Sequence, residues 1–220
     1  MNNIKKDIRI RFKKTGPMRF ISHLDLNRTM ARAFRRAGLP IAYSEGFNPR
    51  PKLVFGLNLS IGAESECEVL DTQITEEMEY EDIMKALNDT LPAGLEVYYV
   101  KRPVMPLKTI GTCDYEITIP CPSDISERAN EVFTPPVMIL KQTKSSEAVT
   151  DISENIKHIN ASYADGILTI NARLTSGNND YLNPEYVVKV IAEKVDINVL
   201  SADYRIMRKE IYNTDNSVFR

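Results

Sequence analysis

The side chains of this 220-residue chain that could do chemistry are concentrated near its start. Arg28, Arg32, Arg35 and Arg36 recur at helical spacing, and at ~100° per residue they fall on one face. Leu26, Met30, Ala33, Phe34 and Ala37 share the opposite arc. The pattern predicts a helix whose apolar stripe packs on a sheet while four guanidiniums point outward, a ready grip for phosphates. An ordinary solvated helix face is the plain alternative. Lys5, Lys6, Arg9, Arg11, Lys13, Lys14, Arg19, Arg50 and Lys52 crowd the same segment, which favours a polyanion surface. His23, one of two histidines, lies in the first turn, where the helix dipole favours the neutral, proton-accepting imidazole. It is therefore a candidate general base. With no acid–base partner near it in sequence, a structural histidine beneath a Ser22 cap is the competing reading.

A second dense segment is Tyr43-Ser44-Glu45-Gly46-Phe47-Asn48-Pro49-Arg50-Pro51. Gly46 permits a positive φ, and Pro49 and Pro51 push the residues before them toward extended geometry. A rigid loop of this kind would display Phe47 and Arg50, a pair suited to stacking and clamping an unpaired nucleotide. A β-bulge or broken edge strand with Phe47 turned into the core is equally compatible.

Other chemistries find little support. Cys67, Cys113 and Cys121 are odd in number and widely spaced, which argues against a disulfide scaffold and for a reducing cytoplasm. His23 and His158 are far apart with no cysteine near either, so no zinc site is expected, and no cofactor-binding fingerprint appears. Glu64, Glu66 and Glu68 share one face of an extended strand; a solvent face or acidic edge is expected, with a metal-binding row as the alternative. Thr175 to Asp180 reads as a loop.

Lys and Arg number 28 against 30 Asp and Glu, a net charge of −2. That total hides a split: residues 1–56 hold thirteen basic and three acidic side chains, a net +10, leaving −12 for the rest. Such asymmetry points to a polyanionic partner for the basic end. At 26% charged and 43% hydrophobic, the composition is that of a globular chain. No stretch approaches the ~18–20 apolar residues of a membrane span, and no signal-peptide core follows Met1.

The elements that must position these residues are legible as periodicities. Ile8, Ile10 and Phe12 alternate with basic residues as a half-buried strand, broken at Thr15-Gly16-Pro17. Ser22 and Asp25 open the arginine helix in a capping-box-like start, and Gly38 with Pro40 closes it. Interrupted strands follow over 42–54 and 52–60, then a strand over 66–74, a helix over 80–91 and a strand over 95–100. The second half repeats the order: a strand at 115–119, a helix from Ser123 or Asp124 to Phe133, strands at 137–142 and 167–174, a helix opened by Asn183-Pro184-Glu185, and a strand at 204–212. Residues 144–164 are read as an insertion with a strand and a short helix around Ile156. The fold class is α+β: two tandem ferredoxin-like (βαββαβ) domains, a basic one over 1–106 and an acidic one over 107–220. A single larger α+β domain is the rival.

Gly16 to Arg28, followed by Arg32 to Pro40 and by Tyr43 to Pro51, resembles the bacterial radical SAM-linked protein family, a domain of unknown function found beside or fused behind radical SAM proteins. The resemblance implies a radical SAM partner and, through genomic context, RNA metabolism. The chain lacks the C-x3-C-x2-C cluster that radical SAM chemistry needs, so that step would belong to the partner. A weaker, fold-level similarity links it to the tandem ferredoxin-like endoribonucleases that process CRISPR repeats, some with a catalytic histidine comparable in position to His23. Their C-terminal glycine-rich loop is missing here. The expected function is a cytoplasmic, RNA-binding accessory protein without a cofactor or metal of its own. Its nucleic-acid contacts would be Arg19, Arg28, Arg32, Arg35, Arg36, Phe47, Arg50 and Lys52, shaped by Gly16, Ser22, Asp25, Gly46, Pro49 and Pro51. A metal-independent endoribonuclease using His23 and a protein-binding adaptor without RNA contact are the alternatives. No oligomeric state is specified.

Overall fold

A computed structural model of the chain describes residues 5–142, 147–177, 180–195, 199 and 203–220. It is α+β and divides into two units, residues 1–108 with Arg220 and residues 109–219.

The first unit runs β1 (Lys6–Lys14), α1 (His23–Arg36), β2 (Val54–Phe55), β3 (Glu64–Ile74), α2 (Tyr80–Asn88) and β4 (Leu95–Lys101). Its strands are antiparallel in the order β4-β1-β3-β2. Alternation along β1 sends Ile8, Ile10 and Phe12 to a core shared with Leu26, Met30, Ala33 and Phe34 of α1 and Ile83 and Leu87 of α2. Ser22 caps α1: its Oγ accepts from the Asp25 N–H at 3.1 Å and donates to Asp25 Oδ2 at 2.8 Å. The Ser22 hydrogen bond, followed by Arg28, holds the Asp25 carboxyl below the usual carboxylate range. Gly38, at φ 65°, closes the helix with the Leu39 N–H donating to the Phe34 carbonyl.

Three expectations change here. The stretch over 42–54 is not a strand: β2 has two residues, preceded only by the isolated pairings Ile41 with Ile74 and Tyr43 with Pro51. Two prolines cannot donate to a ladder, which limits pairing in this stretch. The glutamate row is not a solvent face either, since Glu64 and Glu68 are buried and Glu66 is half-buried. Arg9, Arg11 and Lys14, counted as part of the basic surface, are buried too. Arg9 lies directly opposite Asp71 in the β1–β3 register and binds it through Nε at 2.8 Å and Nη2 at 2.7 Å. Lys14 Nζ donates to the carbonyls of Arg19 and Ala63.

The second unit runs β5 (Ile110–Pro120), α3 (Ser126–Glu131), β6 (Met138–Gln142), β7 (Glu147–Asp151), β8 (Ile156–Ala164), β9 (Ile167–Thr175), α4 (Glu185–Lys194) and β10 (Arg205–Asn213). Its sheet has the antiparallel order β10-β5-β9-β8, and among the described residues β6 pairs with β7 as a separate ribbon. The sheet strand before β9 is thus 156–164, not 137–142, and the helix expected around Ile156 is a single 3-10 turn at Ser153–Asn155. As an edge strand, β8 fully buries only Ala161, so it carries almost no alternation to read. Residues 144–146 of the expected insertion, and 178 and 179 of the expected loop, lie outside the described residues. Asp114 and Arg173 face each other in the β5–β9 register, bound at 2.7 and 2.8 Å. The Tyr212 hydroxyl also donates to Asp114, at 2.9 Å.

One device protects an outer strand in each unit. The Asn88 amide makes two 2.8 Å bonds with the Val97 backbone on β4, and Asn130 does the same for Ala161 on β8, at 2.8 and 2.9 Å. Each amide occupies an N–H and a C=O that would otherwise be open to another chain.

Replacing Asp71 with Ala takes the carboxylate and two hydrogen bonds from a guanidinium that is 1% exposed, and is expected to destabilise the chain by about 3–5 kcal/mol. Asp114→Ala breaks a pair whose side chains are 29% and 32% exposed, and is expected to cost about 1–2 kcal/mol. Urea unfolding midpoints compare the two, and equal losses would contradict the burial argument. Asp25 titrates below its ordinary range when folded, so its contribution to stability is full above the unfolded value and fades as pH falls through the folded one. Ser22→Ala should raise the Asp25 midpoint in an NMR titration and lower stability by about 1 kcal/mol; an unmoved midpoint would transfer the effect to Arg28.

Candidate nucleic-acid interface

The packing of α1 leaves its four arginines exposed. They differ in what holds them. Arg28 Nη1 reaches Asp25 Oδ1 at 3.2 Å, a contact exposed on both sides. Arg36 Nη2 donates to the Thr90 carbonyl at 2.6 Å, which ties it to the turn after α2. Arg32 and Arg35 make no hydrogen bond or ion pair among the described residues. They are one turn apart, so two guanidiniums without a hydrogen bond stand side by side on the outward face, Arg32 acting on Asp25 through its charge alone.

Arg19 is placed differently. It is half-buried, 3.8 Å from Glu64 Oε2, with its guanidinium 4.6 Å from the centroid of the exposed Phe20 ring. Glu64 also accepts from the Gly16 N–H at 2.6 Å, and Gly16 sits at φ 60°, where a side chain would be strained. The Gly16–Phe20 turn is therefore locked to the start of β3, and Arg19 is partly committed to that lock.

Residues 44–50 form a small lobe closed at its base. The Ser44 N–H donates to the Arg50 carbonyl at 2.8 Å, and the Arg50 N–H to Ser44 Oγ at 3.0 Å. Gly46 takes φ 116° within it, and the two prolines stiffen the returning arm. Phe47 is 106% exposed, so it belongs to no core. Arg50 and Lys52 are also exposed. No hydrogen bond or ion pair ties the Phe47 or Arg50 side chain to α1 among the described residues.

His23 is exposed rather than buried under the cap, and its ring meets Phe55 edge to face at 5.1 Å. Phe55 in turn contacts Phe12 at 6.3 Å. The imidazole is held by an aromatic edge, and no carboxylate, lysine or second histidine forms a hydrogen bond with it among the described residues. Elsewhere in the first unit, Phe20, Leu24 and Ile61 are each about 60% exposed. Their type and exposure could not be read from alternation, because they sit in turns and at a helix start.

A cavity of about 470 Å3 in the first unit was also invisible to motif reading. It brings Lys52 together with Asp7, Val54, Gln73 and the 103–106 segment. Only the β1–β3 register reveals that Asp7 and Gln73 are opposite each other. Among the described residues, no cluster of three or more His, Cys, Asp or Glu could hold a metal ion, and no helix is long and apolar enough to cross a membrane.

Among solved structures, one described as the crystal structure of an unknown protein from Galdieria sulphuraria is similar at 10% identity, over 93% of this chain and 99% of that one. Its TM-score of 0.28 carries no argument about fold or function. No curated protein matches. A family model described as an uncharacterized protein conserved in bacteria matches residues 7–184, a span that includes α1, the lobe and most of the second unit. The chain belongs to that family, DUF2344.

Proposed function

We propose that this chain is a cytoplasmic RNA-binding accessory protein that works beside a radical SAM partner in tRNA or rRNA metabolism. The observation that carries the reading is the outward face of α1, where Arg32 and Arg35 stand exposed and without a hydrogen bond between Arg28 and Arg36. Guanidiniums that make no internal hydrogen bond keep their N–H groups for bidentate phosphate contacts. The stiff lobe adds a fully exposed Phe47 beside Arg50, suited to stacking an unpaired base. The strand orders β4-β1-β3-β2 and β10-β5-β9-β8 support two tandem ferredoxin-like units as the scaffold. Three buried cysteines, none of them in a disulfide, fit a reducing compartment. The radical SAM partnership rests on the resemblance of residues 16–40 and 43–51; with no cysteine triad in this chain, any iron–sulfur cluster would be the partner's.

Phe20, Leu24 and Ile61 favour a second reading, an adaptor that docks a protein through α1 without touching RNA. A nuclease role for His23 has only the exposure of its imidazole in its favour. One binding series separates the three. For Arg32→Ala/Arg35→Ala the slope of log K against log salt should fall by about 2, with affinity for single-stranded RNA lowered at every sequence. Unchanged affinity and slope would sink the RNA reading, and partner co-purification that survives nuclease treatment would favour the adaptor. Cleavage of RNA in the presence of chelator, lost in His23→Ala, would establish the enzyme.

A further inference from the structure

The cavity in the first unit lies on the face of its sheet away from α1 and α2. Asp7 and Arg9, which line it, alternate with Ile8 and Ile10, which enter the helix-packed core. At about 470 Å3 it falls within the roughly 300–1,000 Å3 typical of small-molecule sites. Val54, Val104 and Met105 supply apolar wall, and Val54 and Val104 are 56% and 75% exposed where they do so. The Arg9–Asp71 pair is part of the lining and is internally satisfied: both Asp71 oxygens are taken by Arg9, whose Nη1 also donates to the Arg220 carbonyl. This fixes that part of the lining without offering it to a ligand.

The unused polar capacity lies beside that pair. Gln73 Nε2 donates to Asp7 Oδ1 at 2.7 Å, which leaves Gln73 Oε1 and Asp7 Oδ2 without a partner among the described residues. Lys52 Nζ is likewise unengaged and exposed. The site therefore offers apolar wall, two adjacent acceptors with one remaining amide N–H, and a cation. A flat ring with apolar faces, an amino-bearing edge and a linked anion matches all three.

We infer that this cavity is a nucleotide site selective for bases with an exocyclic amino group, with Lys52 holding the attached phosphate. Cytosine and adenine donate from that amine to Asp7 and Gln73 while a ring nitrogen accepts from the Gln73 amide, as carboxylates and amides read such edges elsewhere. Uracil would set a carbonyl oxygen against the same acceptors, a repulsive pairing that lowers its affinity relative to cytosine. The Lys52 N–H donates to the Ala42 carbonyl at the base of the lobe, so the cation sits where the Phe47 lobe joins the sheet. As a base slot within a bound strand, the site rests on the RNA reading; as a mononucleotide site it does not.

The test measures fluorescence anisotropy of labelled single-stranded rC, rA and rU homopolymers, with calorimetry of CMP and UMP in parallel. Asp7→Ala and Val104→Trp both alter exposed positions, and their unfolding midpoints check that the fold is intact. The expected result is rC and rA binding about tenfold more tightly than rU. Asp7→Ala removes the preference, and Val104→Trp weakens rC and rA about tenfold at an unchanged salt slope. CMP binding over UMP without any homopolymer binding supports the nucleotide site and refutes the RNA reading. Homopolymer binding without the preference, or with one that both variants leave intact, overturns the site while the RNA reading stands. Failure of CMP and of every homopolymer overturns both.

Discussion

A guanidinium removed from water costs several kcal/mol unless a carboxylate meets it with good geometry, a constraint that acts in full in the first unit and in part in the second. In the first, Arg9 on β1 meets Asp71 on β3; in the second, Asp114 on β5 meets Arg173 on β9. Each pair is bidentate, each lies directly across from its partner in register, and each joins the first strand of its unit to a central neighbour. A shift of one residue would carry each charge to the helix-packed face, so the pairs define register as well as contribute to it. The two differ in depth: Arg9 is almost wholly enclosed, whereas Arg173 is partly open and stacks 3.8 Å from the Tyr212 ring centroid.

Fixing the sheet in this way separates the basic residues into two populations. Arg9, Arg11 and Lys14 are internal, so the positive surface is smaller than the count over residues 1–56 implies. What remains outside is better organised. The arginines of α1 share one face, Phe47 and Arg50 share a stiff lobe, and Lys52 links that lobe to the sheet. The same unit thus presents a basic helix face, a stiff lobe with an exposed aromatic ring and a cavity walled by apolar and polar side chains.

Legibility followed the range of the interactions. The capped start of α1, its apolar stripe and its glycine stop are all encoded within a few residues, and Ser22, Asp25 and Gly38 do what their types dictate. The β1 alternation was equally plain. The strand at 156–164 was not, because an edge strand that fully buries one residue leaves no period in the sequence. Phe47 was undecided between tip and core, since a lone aromatic between Gly46 and Pro49 fits either until its neighbours are known. The Asp7 and Gln73 constellation had no motif at all; residues 66 positions apart meet only through the register of β1 with β3.

The sequence by itself determined the amphipathic arginine helix, the polarity of charge along the chain and the α+β class, because these depend on local periodicity and composition. Only the tertiary structure decided which charges face water. Alternation in a strand states that its two faces differ; it does not state that the polar face is solvated. Here one such face encloses Arg9, whose partner lies 62 residues away, and no local rule could reveal that the charge had been neutralised inside the fold.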